Sequence, residues 1–157
     1  MRQFCKNIRS RSKSGQKTNE IIEAVFSRLL YEGLKVQASI RPSGISGLGL
    51  FAGEAIPQGS TVFSWNDQID QEYSKNYPDG LPPEVKKDFM DLASTDGEGW
   101  FLAGDGGAYF NHSTSPNVVV RRGEGNPSKW DRIAARDIDL GEEMTMDYGE
   151  IGDDVPE

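Results

Sequence analysis

At 157 residues, with 36% apolar and 27% charged side chains, the chain has the size of one domain with a short extension, and it is long enough to bury a single core without staples. Its one cysteine, Cys5, excludes an intramolecular disulfide and a cysteine-held zinc, and no apolar run approaches a membrane span or the core of a signal peptide, so an intracellular, reducing compartment is the default, cytoplasmic or nuclear alike. The net charge of −8 is unevenly placed: residues 1–35 hold eight Lys/Arg against three Asp/Glu and the remainder nine against 22, an acidic body unsuited to direct contact with nucleic acid but able to steer a basic protein partner.

Residues 1–17 are basic, Ser-rich and free of acids. That composition is shared by a disordered tail, a transit peptide and a basic tether. Residues 18–35 predict a helix. Thr18 or Asn19 can cap it, Ile21, Ile22, Val25, Phe26, Leu29 and Leu30 form one apolar stripe, and Gly33 sits where it would stop. From Lys35 the pattern turns to short strands separated by glycine-rich turns. Strands are predicted over residues 36–40, 61–65, 100–102, 118–121, 132–135 and 144–146. A short helix over residues 82–92 carries proline near its start. Residues 150–157 form a short acidic tail. Many short strands without βαβ alternation predict a small, mostly β domain.

Three stretches carry chemistry. The first is Ser46-Gly47-Leu48-Gly49-Leu50-Phe51-Ala52. By itself Gly47-Leu48-Gly49 is a turn, since the third glycine and the following helix of a dinucleotide fingerprint are missing. The second is Tyr109-Phe110-Asn111-His112-Ser113 with Pro116-Asn117. His112 is the one histidine, which leaves a metal site without partners. A Ser-His-Asp hydrolase lacks its Gly-x-Ser-x-Gly elbow, and Ser113 directly follows His112. The third is Gly141-Glu142-Glu143-Met144-Thr145-Met146-Asp147-Tyr148-Gly149. In isolation Tyr148 is a packed aromatic.

In this order the three stretches resemble the SET-domain protein lysine methyltransferases, and the segment at residues 131–138 resembles the strand before that family's last motif. The resemblance runs from about Val36 to Gly149. It implies a β-clip fold of short curled sheets, in which the Asn-His stretch and the final tyrosine strand meet in a knot-like core. It also implies transfer of a methyl group from S-adenosylmethionine to a lysine of a basic protein, a histone or another, with no metal. Carried over by residue, Ser46, Gly47, Leu48 and Gly49 would hold the methionine end of the cofactor. Asn111 and the backbone of His112 would bind its amino-acid and adenine parts, with the His112 ring structural. Tyr148 would be catalytic and touch the cofactor, its hydroxyl near the transferring methyl.

The chain departs from the family pattern in places. Ala108 stands where the family usually has arginine, so one contact is lost. Met146 occupies the position that governs how many methyls fit. Lacking a hydroxyl, it predicts addition of more than one. No cysteine-rich segment follows Tyr148, so the lysine channel must be finished by the tail, by the helix before residue 36 or by a second copy in a homodimer. The variable stretch at residues 66–105, with Trp65 at its edge, adds Tyr73, Tyr77, Phe89, Trp100 and Phe101 to Asp67, Asp70, Glu72, Asp79, Asp88 and Asp91. Such aromatic walls with an acidic rim suit a lysine in a basic peptide. The alternatives are a SET-like module that binds protein or cofactor without catalysis, and a β-clip binding domain with no link to methylation.

Overall fold

The computed structural model describes residues 33–121 and 129–151. The basic stretch at residues 1–17, the helix read over residues 18–35 except its last three positions, and the tail beyond Ile151 lie outside them. Gly33 is in a turn and Leu34 bridges to Phe63, so by residue 34 the chain is already part of the sheet framework.

The first strands, β1 (Ala38–Pro42) and β2 (Leu48–Ala52), form an antiparallel hairpin with Ala38 opposite Ala52 and Pro42 opposite Leu48. The strand predicted from residue 36 begins two positions later. Gln37 is drawn aside because its N–H donates to Glu54 Oε1 and its carbonyl accepts from Gly53, and Val36 turns into the core. Then follow β3 (Thr61–Phe63), β4 (Gln71–Ser74), helix α1 (Pro83–Met90), β5 (Ser94–Thr95), β6 (Gly99–Leu102), β7 (Asn111–His112), β8 (Val118–Val120), β9 (Arg132–Ala134) and β10 (Glu143–Met146).

These strands build three small sheets, in the orders β1-β2-β10-β7, β3-β9-β8 and β4-β6-β5. The third sheet carries α1. The helix starts with proline at a position where no amide donor is needed, and it is attached chiefly through Phe89. That ring packs against Tyr73, Tyr77 and Trp100 at centroid distances of 5.2, 5.3 and 5.8 Å. Val85 and Met90 on the same helix stay exposed.

The core lies between the first two sheets. Leu50, Val62, Val118, Ile138 and Met144 are fully buried there. Each contributes about 1.5–3 kcal/mol of hydrophobic stabilisation before chain entropy is counted. β10 reaches this core last in the chain and threads between strands formed earlier. It pairs antiparallel with β2 and parallel with β7, with Thr145 opposite Asn111 and Met146 opposite His112. This is the knot-like crossing expected of the mostly β, SET-type β-clip, and it brings the three motif stretches together.

Candidate active site

The site is built on the crossing of β2, β7 and β10. On one side lies the β1–β2 turn. Gly47 adopts φ +44°, a left-handed conformation that favours glycine. Ser43 closes the turn, with its N–H donating to the Gly47 carbonyl at 3.1 Å and its hydroxyl accepting from the Ile45 amide at 2.8 Å. Ser46, Gly47 and Leu48 are exposed and Gly49 is buried. A Cβ on Gly49 would sit 2.2 Å from Glu143 Oε1, so that position must be bare for the carboxylate to pass.

Asn111 ties this turn to the crossing. Its Nδ2 lies 3.1 Å from the Ser46 carbonyl, 3.2 Å from the Leu48 carbonyl and 2.8 Å from Glu143 Oε1. Glu143 in turn accepts from the Ser43 hydroxyl at 2.7 Å. An amide nitrogen has two hydrogens, and here it faces three acceptors. The side chain expected to meet the cofactor is thus already the brace of the turn. Glu143 stands in the third motif stretch without a role assigned to it there, and Ser43 lies outside the three stretches.

Asn117, buried to 2% exposure, fixes the other edge of β10. Its Oδ1 accepts from the Thr145 amide, and its Nδ2 donates to the Glu143 carbonyl and to Glu142 Oε1. The Arg136 guanidinium, Asn117 and the Asp139 amide together hold the Glu142 carboxyl down at about 2, against the opposing effect of partial burial.

His112 stands between the brace and Tyr148. Its Nδ1 accepts from the Tyr148 amide at 3.3 Å, and the two rings meet edge-on at 5.4 Å. Accepting at Nδ1 puts the ring proton on Nε2, which is buried and has no hydrogen-bond partner among the described residues. The ring therefore orients the start of the Tyr148 segment.

The Tyr148 hydroxyl donates to the Phe110 carbonyl at 2.8 Å. It borders a cavity of about 350 Å³ whose walls include Phe63, Trp65, Trp100, Phe101 and Met146. The Gly47 turn and Asn111 do not line this cavity. β10 is the shared wall, running from the turn at Glu143 to the cavity at Met146. Ala108 sits in the 3-10 turn Gly106–Tyr109 and lines the cavity rather than the β1–β2 turn. Ile151, read from sequence as part of the acidic tail, is 4% exposed and supplies a wall of the cavity.

The variable stretch divides. Trp65, Trp100 and Phe101 line the cavity, whereas Tyr73, Tyr77 and Phe89 pack α1 onto its sheet. Among the acids, Asp70 is buried and accepts from the Asn66 and Gly104 amides. Burial holds its pKa above the ordinary carboxylate value, with the two amides opposing. Asp79 pairs with Lys86 and Asp91 with Lys87. Asp67 and Glu72 stay exposed beside Trp65.

The family model described as SET domain matches residues 47–149. Chaetomium thermophilum Polycomb Repressive Complex 2 bound to GSK126 superposes with a TM-score of 0.55 at 22% identity, over 74% of this chain and 16% of that one. The Neurospora SET domain protein DIM-5, a histone lysine methyltransferase, superposes with a TM-score of 0.50 at 20% identity, over 83% of this chain and 57% of that one. The chain thus spans little over half of DIM-5 and a small part of the Polycomb chain, and at these identities the likeness is one of fold. With the matched segment running from the β1–β2 turn to the residue after Tyr148, the chain belongs to the SET-domain family, that of the protein lysine methyltransferases.

Proposed function

We propose that this protein transfers methyl groups from S-adenosylmethionine to the side-chain amine of a lysine in a basic protein, and that it adds more than one. The observation that carries this reading is the Tyr148 hydroxyl, tethered to the Phe110 carbonyl on the wall of an aromatic cavity, one strand away from the Gly47 turn.

The residues of the turn fit the cofactor. Exposed backbone at Ser46 to Leu48, with the Ser46 and Leu48 carbonyls gathered at the Asn111 brace, suits the ammonium of an amino-acid moiety approaching the backbone closely. When bound, S-adenosylmethionine supplies an electrophilic methyl on a sulfonium sulfur.

The protein's own task is to deliver a neutral amine in line with that methyl. A lysine of pKa about 10.4 is neutral in roughly one molecule in 2,500 at pH 7. Walls formed by Phe63, Trp65, Phe101 and Met146 withhold water and so disfavour the ammonium form, while confining the chain of the lysine to one approach. With its O–H donated to Phe110, the Tyr148 oxygen is the atom that would accept weak C–H contacts from a methyl group. No acid–base pair is required.

The acidic balance of residues 36–157 supports a basic protein as substrate, and a histone is the class that the name of DIM-5 suggests. The test has two arms. Titration calorimetry asks whether S-adenosylmethionine binds, and a labelled-methyl assay on a pool of basic proteins asks whether lysines gain label. Binding without label would support the non-catalytic alternative, and neither result would leave the reading standing.

A further inference from the structure

The Tyr148 hydroxyl is anchored on the Phe110 carbonyl, and Phe110 closes the 3-10 turn Gly106–Tyr109. Asp105 caps the start of that turn, its Oδ1 accepting from the Gly107 amide at 2.8 Å. Its other oxygen, Oδ2, accepts from the Leu34 amide at 2.8 Å, 71 positions earlier in the chain. One carboxylate thus joins the framework at residue 34 to the turn that leads to the anchor of Tyr148. On the far side of Asp105 the chain is fixed independently, since the Gly104 amide donates to Asp70 Oδ1 at 2.8 Å. Asp105 stands between that fixed point and Phe110.

The surroundings are shaped for this bridge. A Cβ on Gly33 would overlap Asp105 Oδ2, one on Gly106 would lie 2.7 Å from Leu34 Cδ1, and one on Gly107 would lie 2.6 Å from the Phe63 ring. Leu34 and Phe63 are buried and bridge to each other, so they form the bed on which the turn is laid. Gly107, Ala108 and Phe110 line the cavity, while Asp105 does not. A carboxylate suits this place because it offers two acceptor oxygens and no donor, so it meets both amides at once. Asparagine or serine would keep an acceptor for the cap but not a second one for Leu34.

We infer that Asp105 is a positioning residue for methyl transfer, which fixes the Tyr148 hydroxyl through the 3-10 turn and the Phe110 carbonyl. This rests on the proposed lysine methyltransferase reading for the role of that hydroxyl. Asp105 stays off the cavity and acts only through the turn. Displacing a reacting group by about 1 Å can cost about a hundredfold in rate. A small slackening of the turn is therefore felt in turnover, while the binding of substrate and cofactor is left alone.

The test is a double-mutant cycle on the full chain. Asp105→Asn and Asp105→Ser each keep the cap on Gly107 and lose the tie to Leu34, and thermal melting shows that the variants fold; one folded variant suffices. Each is expected to lower kcat about tenfold and to leave KM within about twofold. In a Tyr148→Phe background the same substitutions should change the residual rate by less than about twofold, because the group they misplace is gone. A merely structural Asp105 would slow both backgrounds alike, so equal losses overturn the inference, as does full kcat in the variants. Position is read apart from activity. In protein labelled with 3-fluorotyrosine, the fluorine resonance of Tyr148 is the one absent from Tyr148→Phe. It should shift in Asp105→Asn or Asp105→Ser while that of Tyr77, identified in the same way, holds. An unmoved Tyr148 resonance overturns the inference. If wild type transfers no methyl, a shifted resonance still supports the link from Asp105 to Tyr148, and the failure falls on the methyltransferase reading.

Discussion

The Tyr148 hydroxyl and the Phe110 carbonyl are 2.8 Å apart, and the two residues are brought together by the parallel pairing of β10 with β7. Removing the hydroxyl should separate catalysis from binding. Tyr148→Phe leaves the ring in place beside His112 and costs about 1 kcal/mol of stability for the lost hydrogen bond. On the proposed mechanism, in which the oxygen acts on the methyl only as it transfers, turnover is expected to fall by about two orders of magnitude. Affinity for S-adenosylmethionine in titration calorimetry is expected to stay within about twofold. Unchanged turnover would remove Tyr148 from the chemistry.

Gly49 tests the brace of the β1–β2 turn. An added methyl would push into Glu143 Oε1, which cannot swing away without leaving Ser43 and Asn111. Gly49→Ala is therefore expected to destabilise by about 1–3 kcal/mol and to weaken S-adenosylmethionine binding by about tenfold. Gly44→Ala, with nothing within 4 Å of the new Cβ, serves as the neutral control in the same turn. Thermal melting with and without S-adenosylmethionine reads both effects. Equal behaviour of the two variants would show that the brace does not shape the cofactor side.

These two sites mark how far the sequence could be read. Strands such as Thr61–Phe63 and Glu143–Met146 were visible because their apolar residues sit in β-branched or alternating runs bounded by glycine. Gln71–Ser74 was not, since three of its four residues are polar and exposed and only Tyr73 packs, against Phe89 of α1. Asn111–His112 is a two-residue strand that exists only through parallel pairing with a segment some 34 positions later, which no local pattern encodes. The motif residues of the site were legible as a set, but their partners were not. Glu143 crossing over Gly49, and Asn111 spending its amide on backbone carbonyls, are properties of the crossing itself.

The Arg136–Glu142 pair makes a pH prediction. The Glu142 carboxyl is lowered from 4.5 to about 2, so the folded state holds its proton less tightly than the unfolded chain. Its contribution to stability is fully present above pH 4.5 and is lost as pH falls toward about 2. Glu142 is 28% exposed, so solvent screening reduces this contribution to about 1–2 kcal/mol. Urea denaturation of wild type and Glu142→Gln across pH 2–7 should show that difference above about pH 5 and coincident curves near pH 2. Other carboxylates titrate in both proteins and cancel. A gap that persists at pH 2 would assign the stabilisation to shape and not to charge.

The proposed addition of more than one methyl makes Met146 the position to test. It lies opposite His112, is 4% exposed and lines the cavity beside Tyr148. A thioether offers no strong hydrogen bond to hold a water there, and its unbranched chain can yield to a growing ammonium. Intact-mass spectra of a single-lysine substrate are therefore expected to pass through monomethyl to higher products. Met146→Leu, which keeps volume and polarity, should preserve this. Met146→Tyr adds a hydroxyl able to anchor a water in the space the second methyl needs, and should stall at monomethyl while the first transfer slows by less than about tenfold. Wild type that stops at one methyl would instead place the limit elsewhere on the cavity wall, with Phe63 and Phe110 as the neighbours to vary next.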